Sequence, residues 1–305
     1  MTGQPKGGTF WPAIFILTAA VLWGGSFAAM KSVIGTLGPW AVMWGRMVVA
    51  LALVLLFARR LLPIPYRSGD WKLILPFVGF QPCLYFTLEA NALRFTSSSQ
   101  AGLISASVPL MVALGAHLIL REHVTRKTVL GLFLSLGGVV WLTLAGEATQ
   151  AAANPLLGNT LELGAMMTVV GYVLLVKRLS VRYNPWALTS MQIVAGTLFF
   201  LPTGLPRLVE RLPGLTLGQG FIIIYLGAFV TLGAFGLYNL GIKYVPANRA
   251  SAFVNLVPVM AVFFGWTLLG ESLNGAQIAA ALFVLAGVWI SQIGGGVKMK
   301  ELRDM

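Results

Sequence analysis

Arg46 is the charge that lies deepest inside an apolar run of this 305-residue chain, about eight residues into it, or roughly 12 Å along a helix. A guanidinium there suits two tasks: it can clamp a carboxylate or phosphate in two directions, or it can cap freed backbone carbonyls and pair with an acid. Gln81, Tyr85 and Glu89 follow at i, i+4 and i+8, one face of one helix, with Pro82 interrupting its hydrogen-bond ladder. Gln100 and Ser107 run into Pro109, and Asn248, Ser251 and Asn255 run into Pro258. A proline in a helix frees a carbonyl that can face a ligand. Small and hydroxyl residues in the same places also let helices pack closely. Trp23, Ser26 and Phe27, Thr168 and Tyr172, and Thr231, Tyr238 and Asn239 would complete a polar and aromatic ring, with Gly24 and Gly25 free to loosen the helix beneath it. All these groups bind and orient polar solutes; none forms a nucleophile and base pair.

The composition says what surrounds them. The chain is 57% hydrophobic and only 10% charged, where a soluble domain is nearer a quarter charged, so its solvent is lipid. The formal charge of +12 does not indicate nucleic acid, because the basic residues sit in short gaps between apolar runs instead of on one polar face. Cys83, His117 and His123 are the whole cysteine and histidine content, which excludes a disulfide framework and a Cys/His metal cluster. No cofactor is expected. The phosphate-binding loop pattern Gly-x4-Gly-Lys-Ser/Thr is absent, so this chain does not hydrolyse ATP.

A spanning helix needs about 20 mainly apolar residues. Ten candidates follow, at 11–30, 39–58, 71–90, 97–120, 127–145, 157–176, 185–202, 218–240, 248–269 and 273–293. The first is read as a mature span and not a cleaved leader, and the seventh is short. With the N-terminus cytoplasmic, sixteen lysines and arginines fall in cytoplasmic segments and four (Lys31, Arg94, Arg207, Arg211) on the other side, a strong positive-inside bias. Both termini are then cytoplasmic.

The chain also repeats itself. Ala101, Pro109, Glu122 and Gly138 recur as Ala250, Pro258, Glu271 and Gly287 at a constant offset of 149, and Lys31 and Pro39 recur as Lys177 and Pro185 at 146. Each half, 11–145 and 157–293, holds five spans. That number is odd, so the second copy enters the membrane upside down. Inverted repeats bind their solute near the midplane and expose it alternately to either side. Arg46 corresponds to Gln192, so any role of its charge is confined to one half. Glu122 and Glu271 each stand between one helix and the next, where an acid suits a helix N-terminus; both are expected to lock hairpins. Glu162, in the first turn of the sixth span, is read as topological, with coupling to protons as the alternative, and Glu89 as lying near the outer end, either interfacial or part of the inward stripe.

Leu22-Trp-Gly-Gly-Ser-Phe27, Pro39 with Arg46, Ala92-Leu-Arg-Phe-Thr96 and the doubled Pro–Glu–Gly block resemble the EamA family of the drug/metabolite transporter superfamily. Two departures stand out: Arg121 where the family usually has Gly before Glu122, and Val169-Val170 in place of a second Trp-Gly pair. The resemblance implies an all-α membrane protein of ten helices in two inverted five-helix repeats, exporting or exchanging small metabolites, often amino acids, with other metabolites or drugs as the alternative cargo. The expected partners are a small-molecule substrate and the lipid bilayer of a bacterial inner membrane, with no nucleic acid, in a monomer or homodimer. The few buried titratable groups favour exchange or facilitated export over tight proton coupling. A channel would need a charged ring or carbonyl filter, and an intramembrane enzyme a catalytic pair; the sequence shows neither.

Overall fold

The structure is a computed structural model that describes residues 10–57, 66–120, 125–241 and 253–293. Glu122, Asn248 and Ser251 lie outside the described residues. Among the described residues every regular element is helical. Eight helices are long and apolar enough to cross a bilayer, and two are shorter. The eight are α1 (Phe10–Leu37), α2 (Pro39–Leu56), α3 (Trp71–Phe95), α4 (Ser98–Ser105 and Val108–Leu120), α5 (Arg126–Leu144), α6 (Pro155–Leu179), α7 (Pro185–Arg211) and α8 (Leu217–Gly241). The remaining two are α9 (Leu256–Leu269) and α10 (Gly275–Ile293), whose apolar stretches cover the shorter ranges Leu256–Leu269 and Gly275–Ser291.

Local chemistry sets most ends. Gly38, at φ 80°, turns the chain between α1 and α2, and Pro39 opens α2 where no backbone donor is needed. Asn154 Oδ1 accepts from the Leu157 N–H at 3.1 Å and Asn184 Oδ1 from the Trp186 N–H at 3.0 Å, each before a helix-opening proline. Thr216 and Gln219 form a capping box on α8. Two expected limits move. α1 continues to Leu37, and α7 runs 27 residues through Pro202 and Pro206 to Arg211, so the seventh span is not short. Gly204 lets α2 lie close against this stretch, because a Cβ there would meet the Trp40 carbonyl of α2 at 2.7 Å.

The duplication is visible in the packing. α2 packs on its counterpart α7, and α5 on its counterpart α10. α4 likewise packs on its counterpart α9, and other major contacts come in partnered sets: α1 with α8 and α6 with α3, α1 with α9 and α6 with α4, α2 with α8 and α7 with α3. Between α5 and α10, Gly131 lies against Gly287 and Gly138 against Ala280; the offset of 149 interchanges the two pairs. A Cβ on Gly287 would stand 2.5 Å from the Gly131 carbonyl, so only glycine allows this approach.

Each half also breaks its helices at matching places. α3 is kinked within Gly79–Leu84, where Gln81 leaves the helical conformation, and a π-helical stretch runs over Tyr225–Ala234 in α8; the two begin 146 residues apart. The helices of α4 and α9 are interrupted near Ala106 and Asn255, three residues before Pro109 and Pro258. Such irregular backbone within a membrane survives only where protein or water satisfies it.

Candidate functional site

The residue before a proline is pushed into extended backbone. Gln81 obeys, at φ −143° and ψ 120°, ahead of the cis peptide to Pro82. Its carbonyl, freed from the helix ladder, accepts from Gln192 Nε2 at 3.1 Å across to α7. This breaks the expected Gln81–Tyr85–Glu89 stripe. Gln81 turns toward α7, while the Tyr85 hydroxyl donates to Glu89 Oε1 at 2.6 Å further along α3.

Beside Gln81 lies a cavity of about 10 Å³, room for about one water. Met47 of α2, Gln81, Pro82 and Phe86 of α3, Thr189, Gln192 and Ile193 of α7, and Thr231 and Phe235 of α8 line it. The cavity therefore sits among α2 and α7 and among α3 and α8, the two counterpart pairs. Arg46, 1% exposed, stands behind its wall. Its Nε donates to Thr231 Oγ1 at 2.8 Å, its Nη1 lies 3.3 Å from the Met30 sulfur, and its guanidinium carbon lies 4.5 Å from the Phe86 ring centre. Thr231 in turn donates to the Leu226 carbonyl at 2.7 Å, five residues back within the π-helical stretch. Glu89 exerts the strongest Coulombic influence on Arg46, followed by Tyr85 and Tyr225.

Near the cavity, Asn239 Nδ2 donates to Thr189 Oγ1 at 3.1 Å, and the Tyr172 hydroxyl faces Asn239 and Gln192. Gln81 Oε1 and Asn239 Oδ1 are buried with no hydrogen-bond partner among the described residues. Arg46, Gln81, Tyr172, Gln192 and Asn239 are thus brought together.

The remaining candidates are placed elsewhere. The Ser26 hydroxyl donates to the Trp23 carbonyl at 2.7 Å, and that of Ser107 to the Ile104 carbonyl at 2.7 Å, so both satisfy their own helices. Trp23 packs on Phe235 and Tyr238, with ring centres 5.2 and 5.0 Å apart, and forms an aromatic layer beyond the cavity. Gln100 Oε1 accepts from Asn159 Nδ2 at 2.9 Å, in a cluster with Thr96 at the end of the bundle poor in basic residues. Asn255 stands before α9. Gly24 and Gly25 do not loosen α1, which is continuous; a Cβ on Gly24 would meet the Val257 carbonyl at 2.9 Å, so the glycine seats α9.

Glu271 does more than lock its own hairpin. Gly270, at φ 66°, ends α9 in the left-handed conformation and turns Glu271 toward the first half. There its carboxylate accepts from the Ser98 and Ser99 backbone N–H groups at 2.8 and 2.9 Å and from their hydroxyls at 2.9 and 2.7 Å. It therefore caps α4, a helix of the other half. Nearby, Lys31 Nζ donates to the Leu93 and Thr96 carbonyls at 2.6 and 2.8 Å, closing the last turn of α3.

A second tie between halves stands at the basic-rich end. Asp70, just before α3, accepts from Arg182 through both carboxylate oxygens at 3.0 and 3.1 Å and from the Tyr183 hydroxyl at 2.5 Å. The Tyr183 hydroxyl, the Arg67 N–H and the Arg182 guanidinium hold the Asp70 carboxyl below the usual carboxylate range, against the opposing effect of burial. Burial and Asp70 push the Tyr183 hydroxyl up.

Sequence reasoning passed over Asp70, Arg182, Tyr183, Thr189 and Asn159. The scarcity of acids, nine in the chain, was the signal available for Asp70. Glu89 and Glu162 are corrections: they are 3% and 0% exposed, facing inward instead of marking an interface. α6 starts at Pro155, so Glu162 lies about 10 Å inside it, beyond the first turn.

Comparison with known proteins agrees with this architecture. The EamA-like transporter family matches the chain twice, over residues 10–144 and 156–292, and the chain belongs to that family. The uncharacterized transporter YcxC of Bacillus subtilis is 28% identical over 93% of this chain and 94% of its own length. The uncharacterized transporter YetK of the same organism is 27% identical over 70% of this chain, which spans just 64% of YetK. An S-adenosylmethionine/S-adenosylhomocysteine transporter of Chlamydia muridarum is 30% identical over 90% of each chain. One crystal structure, 17% identical, superposes on 95% of this chain with a TM-score of 0.61 and shows the same fold. The protein is a multi-pass membrane transporter of small molecules, not an enzyme.

Proposed function

We propose that this chain is a secondary transporter that exports or exchanges small polar metabolites, foremost amino acids, by alternating access at its central cavity. Its ten helices act as two inverted five-helix repeats, 11–145 and 157–293, in a bacterial inner membrane with the basic-rich end and both termini in the cytoplasm. One observation carries the reading: Gln81 and Gln192 line a cavity between the counterpart pairs α2/α7 and α3/α8, and Arg46 stands directly behind it, bonded to the lining residue Thr231.

The mechanism follows from that placement. Arg46 holds a solute carboxylate, to which a guanidinium donates bidentately, by turning its Nε from Thr231. Gln81 and Asn239 offer unpaired carbonyl oxygens to a solute ammonium. Room for a single water admits no solute, so each half must part from the other before binding. The ties at Glu271 and at Asp70 close opposite ends and open in turn. Every lining residue comes from one chain, which suits a monomer or a homodimer of independent carriers.

The chlamydial relatives favour a second reading, an adenosylated amino acid. Phe86 and Phe235 at the cavity would offer a nucleobase two aromatic faces. Counterflow in proteoliposomes loaded with amino acids or with S-adenosylmethionine separates the two. Saturable exchange that Arg46→Ala abolishes, while the variant stays folded, is the expected result. Flux that neither saturates nor responds to solute on the far side would replace the carrier with a channel.

A further inference from the structure

Glu162 is fully buried in α6, and neither carboxylate oxygen has a hydrogen-bond partner among the described residues. An unpaired carboxylate cannot stay ionised in such a place without a compensating charge. α3 presents Glu89, bonded to Tyr85, and Glu89 acts electrostatically on Glu162 and on Arg46. The three charged groups lie at nearly one depth, each about 10 Å from the basic-poor end of its helix. Arg46 answers Glu89, while Glu162 has Glu89 and Tyr85 as its electrostatic neighbours, so its own negative charge is left uncompensated.

Among the described residues, no other element supplies that compensation. On α4 the one titratable side chain is His117, near the far end, and on α5 they are Arg126 and Lys127 at the start. Lys31 on α1 is engaged with the Leu93 and Thr96 carbonyls, beyond Glu89. On α8, Tyr225 lies in the field of Arg46. Nor is there space for a larger ligand. At this level α6 packs on α3 and α4 through Leu88, Leu103, Leu163, Ala165 and Met166, and the cavity is lined by other residues.

We infer that Glu162 and Glu89 form a shared proton site whose proton is released as the carrier opens, coupling solute movement to proton movement. This rests on the carrier reading above. On opening, the carboxylic O–H bond breaks and its proton passes to water on one side; water from the other side returns a proton in the next half-cycle. One proton per solute makes a one-unit pH difference sustain about tenfold accumulation of a neutral solute.

Two measurements on the purified full chain test this. Infrared difference spectra in nanodiscs should show a protonated-carboxyl band at neutral pH that Glu162→Gln or Glu89→Gln removes. Absence of the band, or its survival in both variants, overturns the proton site. Proteoliposomes given a labelled mixture of the common amino acids should accumulate solute under a pH difference. Glu162→Gln should abolish that accumulation while solute-for-solute exchange persists at a measurable rate. Wild-type flux indifferent to the pH difference also overturns the coupling. No flux at all beside an intact band would instead remove the amino-acid reading and support the proton pair.

Discussion

Replacing Glu271 by alanine is the perturbation that most directly probes the division of this molecule into two moving halves. Its carboxylate collects four hydrogen bonds from Ser98 and Ser99, two of them from backbone groups at the start of α4. Hydrogen bonds to a charged group contribute about 1.5–3 kcal/mol each, but these four share two oxygens and are not additive. When this end opens, water replaces the serines, and the net loss from the closed state is about 2 kcal/mol. That shifts the balance between closed and open by about 30-fold toward open. Ala101, fully buried one turn into α4, is the reporter. Cys83 is first changed to Ser, leaving Ala101→Cys as the single thiol. The rate at which an impermeant maleimide reaches that thiol from the basic-poor side should rise about 30-fold in Glu271→Ala. An unchanged labelling rate with a lowered unfolding temperature would refute the reasoning: Glu271 would then be a staple within one rigid body.

Other consequences can be measured more simply. Asp70→Asn, which removes the tie to Arg182 and Tyr183, should raise thiol labelling from the opposite, basic-rich side. Because the folded-state pKa of Asp70 is depressed, its contribution is present above the ordinary carboxylate range and is lost only as pH falls through the lower folded value; the wild-type tie should survive mild acid in the same assay. Gly287→Ala places a Cβ 2.5 Å from the Gly131 carbonyl and should cost about 1–3 kcal/mol in thermal unfolding, whereas Gly137→Ala, with nothing within 4 Å, should be neutral. Gln192→Leu leaves the Gln81 carbonyl without its donor and should destabilise the protein by about 1–3 kcal/mol, with loss of counterflow exceeding the loss of fold.

How far these features were legible beforehand depends on the range of the interaction behind them. Apolar run length, the positive-inside bias and the 149-residue offset are carried by the order of residues, and they led to a helical membrane protein built twice. Arg46 was found because a charge that deep in an apolar run has nowhere to go but inward. Gln192 followed as its counterpart, and Gln81 from its place before Pro82. Periodicity failed wherever a partner lies in the other half. Local spacing put Gln81, Tyr85 and Glu89 on one face, but Pro82 turned Gln81 toward α7 and left the other two facing Arg46. Ser26 and Ser107 looked like lining residues, yet each hydroxyl bonds its own helix. Glu162 resembled an interfacial acid until the packing of α6 on α3 enclosed it, and Glu271 a hairpin lock until Gly270 aimed it across the interface. A hydrogen bond between residues 172 or 173 positions apart leaves no trace in spacing, because both sides read locally as ordinary helix ends. The sequence by itself determined that the chain is built of apolar helices and which residues cannot face lipid; the tertiary structure alone decided which of those inward groups meet.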